Sequence, residues 1–231
     1  MILKGDAATP QSVTNNGTVS FVDTGKTQLL VTCAHVIESY KEKKQSDPSM
    51  ILSVGLPWVK SALTIRDEWI IECGNKKLDL ATIQLPRADV IEEMGKRYFP
   101  AGSWPLSRIP SDGIAEVAGF QGEHRRVLPE GLEANISYIC SPINSLSDRH
   151  FALQIEEANH RIVKVNPNLA DIGALGGMSG GAAFSTNSGG IRELVGFVYS
   201  GDWITEKDAI IYVLHADLIR EDGKLNWGAL A

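Results

Sequence analysis

The chain has little of three things that mark common protein classes: cysteine, positive charge and long apolar runs. Its 231 residues include only three cysteines, Cys33, Cys73 and Cys140. An odd number cannot pair completely within one chain, and the spacing does not match a metal site. This usage favours a reducing compartment, so we expect a cytoplasmic protein.

Charge and hydropathy argue against two kinds of partner. The 28 acidic residues outnumber the 22 basic ones, and the net charge of −6 gives no basic surface for nucleic acid. No apolar stretch approaches the ~18 residues of a membrane-spanning helix, and the N-terminal residues show no signal-peptide pattern. We therefore expect no nucleic acid and no membrane among the partners.

Helical periodicity is also sparse. Short runs rich in β-forming residues dominate, separated by Gly, Asn, Asp and Pro; among them are "GTVSFV", "TQLLVTCAHV", "LDLATIQL" and "ELVGFVYSG". The best helix candidate is 87–99, and a turn or two could follow Val36. The pattern predicts an all-β barrel or sandwich with one or two short helices.

A crossing segment near the middle of the chain suggests two lobes. Pro100, Pro105 and Pro110 interrupt the pattern there, and the strand content on its two sides is similar. We place the boundary between residues 1–105 and 106–231.

The chemically informative stretch is "GGMSGG", in which Ser179 stands among glycines. A serine becomes a nucleophile when a base removes its proton, and the base needs a partner that fixes its tautomer. "VTCAHV" places His35 at the end of an apolar strand, and "LDLATIQL" places Asp79 at the head of another. Asp67 and Asp89 are the alternative acids.

These segments resemble those of the chymotrypsin-like (trypsin-like) serine peptidases, in particular intracellular bacterial members. "TCAH", "DLA" and "GMSGG" are similar to the family's T-A-A-H, D-[IL]-A and G-x-S-G-G, in the same order. "VAGFQG" and "GFVYSG" are similar to the strand that opens the family's second barrel and to the strand beside its cleft. The resemblance covers about residues 17–215 and implies two packed antiparallel β-barrels, the first carrying His35 and Asp79 and the second Ser179.

The resemblance also implies roles for individual residues. Ser179, His35 and Asp79 would form the triad of a serine endopeptidase that works through an acyl-enzyme, without metal or organic cofactor. The backbone N–H groups of Gly177 and Ser179 would form the oxyanion hole. The pocket for the substrate side chain would be walled by six residues: Gly173, Ala174, Tyr199, Ser200, Gly201 and Asp202. Expected partners are a protein or peptide substrate and a regulatory protein, in a stress or defence context.

Two positions concern activation and selectivity. Met178 stands where secreted members carry an aspartate that pairs with a new N-terminus, so we expect activity without such processing. Asp171 or Asp202 in the pocket would select a basic side chain. Gly173 and Ala174 favour a small-to-medium apolar one, which we expect.

Two other interpretations stay open. "GMSGG" also fits the nucleophile elbow of α/β-hydrolases, which requires a helix directly after Ser179 and later partners such as Asp208 and His215. Alternatively, the chain could be a trypsin-fold module that binds proteins without catalysis. An unreactive Ser179 would favour that second interpretation.

Overall fold

The computed structural model describes residues 2–4, 13–55, 63–87, 89–100, 104–128, 131–156, 175–205 and 208–230. Strands dominate these residues, and six of them close into a barrel, so the predicted all-β class is confirmed. Within these ranges, no helix has the length and apolar character to cross a membrane.

The N-terminal half forms two sheets. One has the order β2-β1-β5-β6 and consists of β1 (Ile2–Lys4), β2 (Val13–Asn15), β5 (Met50–Val54) and β6 (Leu63–Ile65). The other has the order β7-β8-β4-β3-β9 and consists of β3 (Ser20–Asp23), β4 (Gln28–Thr32), β7 (Ile70–Asn75), β8 (Leu78–Ile83) and β9 (Phe99–Pro100). Buried residues of both sheets, such as Leu52 and Leu30, belong to one hydrophobic cluster. The two sheets therefore share a core.

The C-terminal half is the closed barrel, in the order β10-β11-β12-β15-β14-β13. Its strands are β10 (Ile114–Leu128), β11 (Gly131–Leu146), β12 (His150–Glu156), β13 (Ala182–Thr186), β14 (Arg192–Trp203) and β15 (Asp208–His215). Alternate residues such as Val117, Phe151 and Val213 fill its interior, as the period-two geometry of strands requires. Closure leaves no free sheet edge within the barrel.

The helices differ from the prediction. The helix after the histidine segment, α1 (Ala34–Ser46), has 13 residues where only a turn or two was expected. It is held by a buried stripe that includes Ile37 and Tyr40, spaced as one face of a helix requires. The candidate at 87–99 is reduced to α2 (Asp89–Glu93), because Gly95 adopts a φ of 70° and ends it.

The chain's last segment returns to the first half. Leu218 and Leu225 lie in one buried cluster with Leu29 and Leu78 of the N-terminal sheet and Phe197 of the barrel. The two halves are therefore joined by a common apolar interface, and the division at 105/106 stays a prediction.

Candidate active site

A cleft of about 450 Å³ lies between the two halves and brings together His35, Asp79 and Ser179. The sequence separates these three residues widely, and only the packing of the barrel against the N-terminal sheets makes them neighbours. The remaining cleft residues are Glu38, Asn75, Lys76, Leu175, Gly176, Tyr199, Ser200 and Gly201.

His35 lies in the first turn of α1 and not in the strand, which ends at Thr32. Its backbone N–H donates to Asp79 Oδ1 at 2.9 Å, and its ring Nδ1 lies 2.7 Å from Asp79 Oδ2. A carboxylate only accepts, so Nδ1 carries the proton and Nε2 keeps its lone pair. The ring is thus set in the tautomer that a general base requires.

Asp79 is held by the pleat of β8. Its neighbours Leu78 and Leu80 are fully buried, so the alternation of the strand turns Asp79 to the opposite face. The side chain is 15% exposed and that of His35 49%. The hydrogen bond with Asp79 is the largest cause that raises the pKa of His35, against the opposing effect of burial.

The alternative acids are engaged elsewhere. Asp67 lies 2.8 Å from Lys44, and this contact lowers the pKa of its carboxyl. Asp89 lies 2.6 Å from Arg87. Neither lines the cleft among the residues that the structure describes.

Ser179 lies in a tight loop that two glycines make possible. Gly177 and Gly180 have φ values of 94° and 91°, where residues with a side chain are strained. A Cβ on Gly177 would lie 2.6 Å from the Phe120 carbonyl oxygen, and one on Gly180 would lie 2.2 Å from the Thr18 carbonyl oxygen. The glycines therefore serve the close approach of neighbouring backbone.

The loop also orients the two N–H groups expected to hold an oxyanion. Gly176 O accepts from Gly122 N–H at 2.6 Å, and Met178 O accepts from Gly181 N–H at 2.8 Å. A trans peptide points its N–H opposite to its C=O, so the N–H groups of Gly177 and Ser179 face away from these contacts. Within the described residues, neither N–H has a backbone acceptor. Ser179 lines the cleft and Gly177 is not among the lining residues that the structure describes, so the oxyanion hole stays a prediction.

The predicted pocket residues divide into three groups. Tyr199, Ser200 and Gly201 line the cleft, whereas Asp202 is exposed and is absent from the lining that the structure describes. Gly173 and Ala174, like Asp171, lie outside the described residues. Leu175 packs closely against Gly201: a Cβ added to Gly201 would lie 2.8 Å from Leu175 Cδ1. This part of the wall is apolar.

Sequence reasoning missed the wall opposite the barrel. Asn75, the last residue of β7, and Lys76, in the turn before β8, line the cleft. The signal was available, because this turn directly precedes the strand of Asp79. Arg149 donates to the Lys76 carbonyl at 3.1 Å, and its guanidinium lies 5.4 Å from the Tyr199 ring centroid. The contact links the turn to the barrel.

Cys33 lies beside His35 and Asp79 and is fully buried. Its Sγ lies within 4.8 Å of ligand atoms of His35 and Asp79, a grouping that could hold a metal ion. Burial, however, raises the pKa of its thiol well above the usual range, and the thiol donates to Val198 O at 3.2 Å. With His35 and Asp79 already bonded to each other, the grouping is better explained as a hydrogen-bonded pair with a packed neighbour.

The α/β-hydrolase interpretation is wrong. The segment after Ser179 is the strand β13 and not a helix. His215, its candidate base, is fully buried, and its Nε2 lies 2.9 Å from Ser147 O. Such a ring is part of the core and cannot act on Ser179.

Comparison with known proteins finds similarity to solved structures. No family model and no curated protein matches the chain. The serine protease domain of the Sesbania mosaic virus polyprotein is 16% identical with a TM-score of 0.45, over 86% of this chain and 80% of that chain. The thermostable serine protease AL20 from an extremophilic microorganism is 12% identical with a TM-score of 0.47, over 86% and 83%.

A third structure comes from work on the coupled folding and binding of the disordered Sesbania mosaic virus VPg protein. It is 16% identical with a TM-score of 0.48, over 89% of this chain and 85% of that chain. At these values the likeness assigns neither a family nor a function to the chain.

Proposed function

We propose that the chain is a serine endopeptidase that hydrolyses peptide bonds of protein substrates through Ser179, His35 and Asp79. One observation carries the proposal: the Asp79 carboxylate binds both the backbone and the ring of His35, in the cleft that Ser179 also lines. This arrangement supplies a base in a fixed tautomer in the same cleft as the Ser179 hydroxyl.

The chemistry follows from these positions. His35 Nε2 takes the proton of Ser179 as its Oγ attacks the carbonyl carbon, and the N–H groups of Gly177 and Ser179 bind the oxyanion. His35 then protonates the leaving amine as the bond between carbon and nitrogen breaks. His35 next takes a proton from water, whose oxygen attacks the acyl carbon; the bond to Ser179 Oγ breaks, and His35 returns the proton to that oxygen. Asp79 orients His35 and stabilises the imidazolium, consistent with the raised pKa of His35.

For the residue on the acyl side of the cut, we favour a small-to-medium apolar side chain. Leu175 and Gly201 give the cleft an apolar wall, and Asp202 is exposed. A carboxylate at the base of the pocket would instead select Arg or Lys, because an unpaired buried charge is costly. Cleavage almost only after Arg or Lys, abolished by Asp171→Ala, would reverse the preference.

The cellular setting is proposed on narrower grounds. The three cysteines are free, as in a reducing compartment, and the net charge of −6 supports neither nucleic acid nor anionic membrane as a partner. We therefore place the protein in the cytoplasm. An active peptidase there needs dedicated substrates or control by a protein partner, and the resemblance to intracellular bacterial members suggests a stress or defence context.

The rival is a module that binds proteins without catalysis. A fluorophosphonate probe, which labels activated serines, separates the two. We expect one label per folded chain, located on Ser179 by peptide mapping, and none on Ser179→Ala, His35→Ala or heat-unfolded chain. Cleavage profiling with a peptide library, controlled by Ser179→Ala, then gives the substrate preference. If the folded chain takes no label and cleaves no peptide, the proposal of a serine endopeptidase is wrong.

A further inference from the structure

Thr18 is a buried threonine whose polar groups all have partners. It lies just before β3 and is 6% exposed. Its N–H donates to Ser179 O at 2.9 Å, and its carbonyl accepts from Thr32 Oγ1 at 2.8 Å. Its hydroxyl donates to Gly177 O at 2.7 Å and accepts from Phe120 N–H at 2.9 Å. One residue of the N-terminal half thus holds two carbonyls of the Ser179 loop.

The hydroxyl contact acts on one particular peptide. The two candidate oxyanion donors belong to the 176–177 and 178–179 peptides, whose carbonyls accept from Gly122 and Gly181. The 177–178 peptide joins them, and its carbonyl is the one that Thr18 holds. The angle between the two donor N–H groups therefore depends on this contact.

The joining peptide follows a residue with unusual freedom. Gly177 has no side chain to limit rotation, and its φ of 94° lies where glycine moves readily. Gly122 fixes the peptide before Gly177. The peptide after it is held at its carbonyl by the Thr18 hydroxyl and at its other end by Leu175 O, which accepts from Met178 N–H at 3.2 Å. Without the hydroxyl, Gly177 O and Phe120 N–H would both lose a partner in a partly buried place, and rotation of the joining peptide would give Gly177 O access to another donor.

We infer that Thr18 is a positioning residue for the oxyanion hole. Its hydroxyl holds the 177–178 peptide in place and so sets the relative orientation of the Gly177 and Ser179 N–H groups. The inference rests on the proposed function and extends it to a side chain outside the triad. It also gives a physical basis for activity without N-terminal processing, because the loop is fixed by a residue of the folded chain itself.

Two substitutions isolate the hydroxyl. Thr18→Val keeps the shape and removes the hydrogen bonds, whereas Thr18→Ser keeps the hydroxyl and removes the methyl. Thr82→Val is the matched control, since Thr82 is fully buried and its Oγ1 donates to Gly223 O at 2.6 Å, away from the cleft. It removes the same kind of bond from the core without touching the loop.

We expect Thr18→Val to lower kcat and the rate of fluorophosphonate labelling by about 10- to 100-fold, with KM within about threefold. The loss stays below the ~10²–10³-fold cost of removing a donor outright, because both N–H groups remain. Thr18→Ser and Thr82→Val should stay within about threefold of the unchanged chain. If Thr18→Val does not fold, Thr18→Ala takes its place.

The amide resonance of Gly177 in a ¹H–¹⁵N spectrum tests the lock without any need for activity. It should be a single sharp signal in the unchanged chain, in Thr18→Ser and in Thr82→Val, and shifted or broadened in Thr18→Val. An unchanged Gly177 signal, or labelling by Thr18→Val at the normal rate, overturns the inference and leaves the proposed function standing. If the unchanged chain takes no label but the signal responds, the proposed function fails and the lock on the peptide stands.

Discussion

The two sides of the cleft hold their chemical groups by different means. On the N-terminal side, the Asp79 side chain holds His35, at 2.7 Å from its ring Nδ1 and 2.9 Å from its backbone nitrogen. On the barrel side, Ser179 is positioned through the backbone, since neighbouring carbonyls accept from N–H groups and from the hydroxyls of Thr18 and Ser20. The first side is therefore sensitive to the chemistry of a side chain, and the second to the space that a backbone needs.

The largest effect should come from removing the reacting groups themselves. Ser179→Ala or His35→Ala should lower turnover by about 10⁴–10⁶-fold, because nucleophile and base act as one unit. Steady-state hydrolysis of a cleaved peptide measures it, with folding checked by circular dichroism. A folded His35→Ala with near-normal hydrolysis would contradict the triad.

Asp79→Asn probes the side-chain half more gently. The substitution keeps the shape but offers an N–H donor to the ring, so His35 adopts the wrong tautomer, and we expect turnover to fall about 10⁴-fold. The fluorophosphonate probe should label Asp79→Asn slowly and should not label Ser179→Ala at all. Asp67→Asn is the control, since its carboxylate pairs with Lys44 outside the cleft and should change turnover little.

Gly177→Ala probes the backbone half. A Cβ there meets the Phe120 carbonyl oxygen at 2.6 Å, so the loop must shift and turnover should fall about 10²–10³-fold as the donor moves. Gly190→Ala is the matched control, because Gly190 also has a positive φ, 76°, but nothing lies within 4 Å of its Cβ position.

Chemical denaturation separates strain from crowding in these two variants. Gly190→Ala should lose only about 1 kcal/mol of unfolding free energy, the cost of the backbone angle, and Gly177→Ala about 2–4 kcal/mol. Equal losses of stability and activity in both would mean that the close approach of Phe120 is unimportant.

The smallest effect is a pH dependence on the side-chain half. Only neutral His35 can take a proton, so turnover should fall about tenfold per pH unit below its pKa. The bond with Asp79 raises that pKa, which places the midpoint above the ordinary value of 6.5. In the residual activity of Asp79→Asn the midpoint should move down. A midpoint unmoved by Asp79→Asn would assign the profile to another group.

The same shift acts on stability with the opposite sign. The folded-state pKa of His35 is raised above its unfolded value, so the pair's contribution is fully present below about pH 6.5. It is lost as pH rises through the folded pKa, while activity is gained there. The contribution should be small, since His35 is half exposed and solvent screens the pair.

The all-β class could be predicted from the sequence because strand signals are local. Alternation in "LDLATIQL" already turns Asp79 away from the buried Leu78 and Leu80, and the hairpin of β3 and β4 follows from the turn at Gly25, with its φ of 83°. The three-residue spacing of the apolar Ile37 and Tyr40, which α1 buries on one face, was also visible in the sequence and indicates a longer helix than we predicted.

Motif chemistry likewise depended on residue types alone. A histidine, an aspartate and a serine among glycines, in this order along the chain, predict nucleophilic catalysis. The glycines on both sides of Ser179 are visible in the sequence, and glycine is the residue that tolerates the φ values found at Gly177 and Gly180. These parts of the site needed no tertiary information.

What only the tertiary structure decided are the contacts between distant segments. Thr18 and Ser179 are joined by a hydrogen bond of 2.9 Å, and Arg149 donates to the Lys76 carbonyl. Neither pairing leaves a trace in local periodicity, because a hydroxyl or a guanidinium can serve any carbonyl that packing brings near. The sequence by itself determined which groups could react, whereas the packing of the barrel on the N-terminal sheets decided which backbone they meet and how firmly it is held.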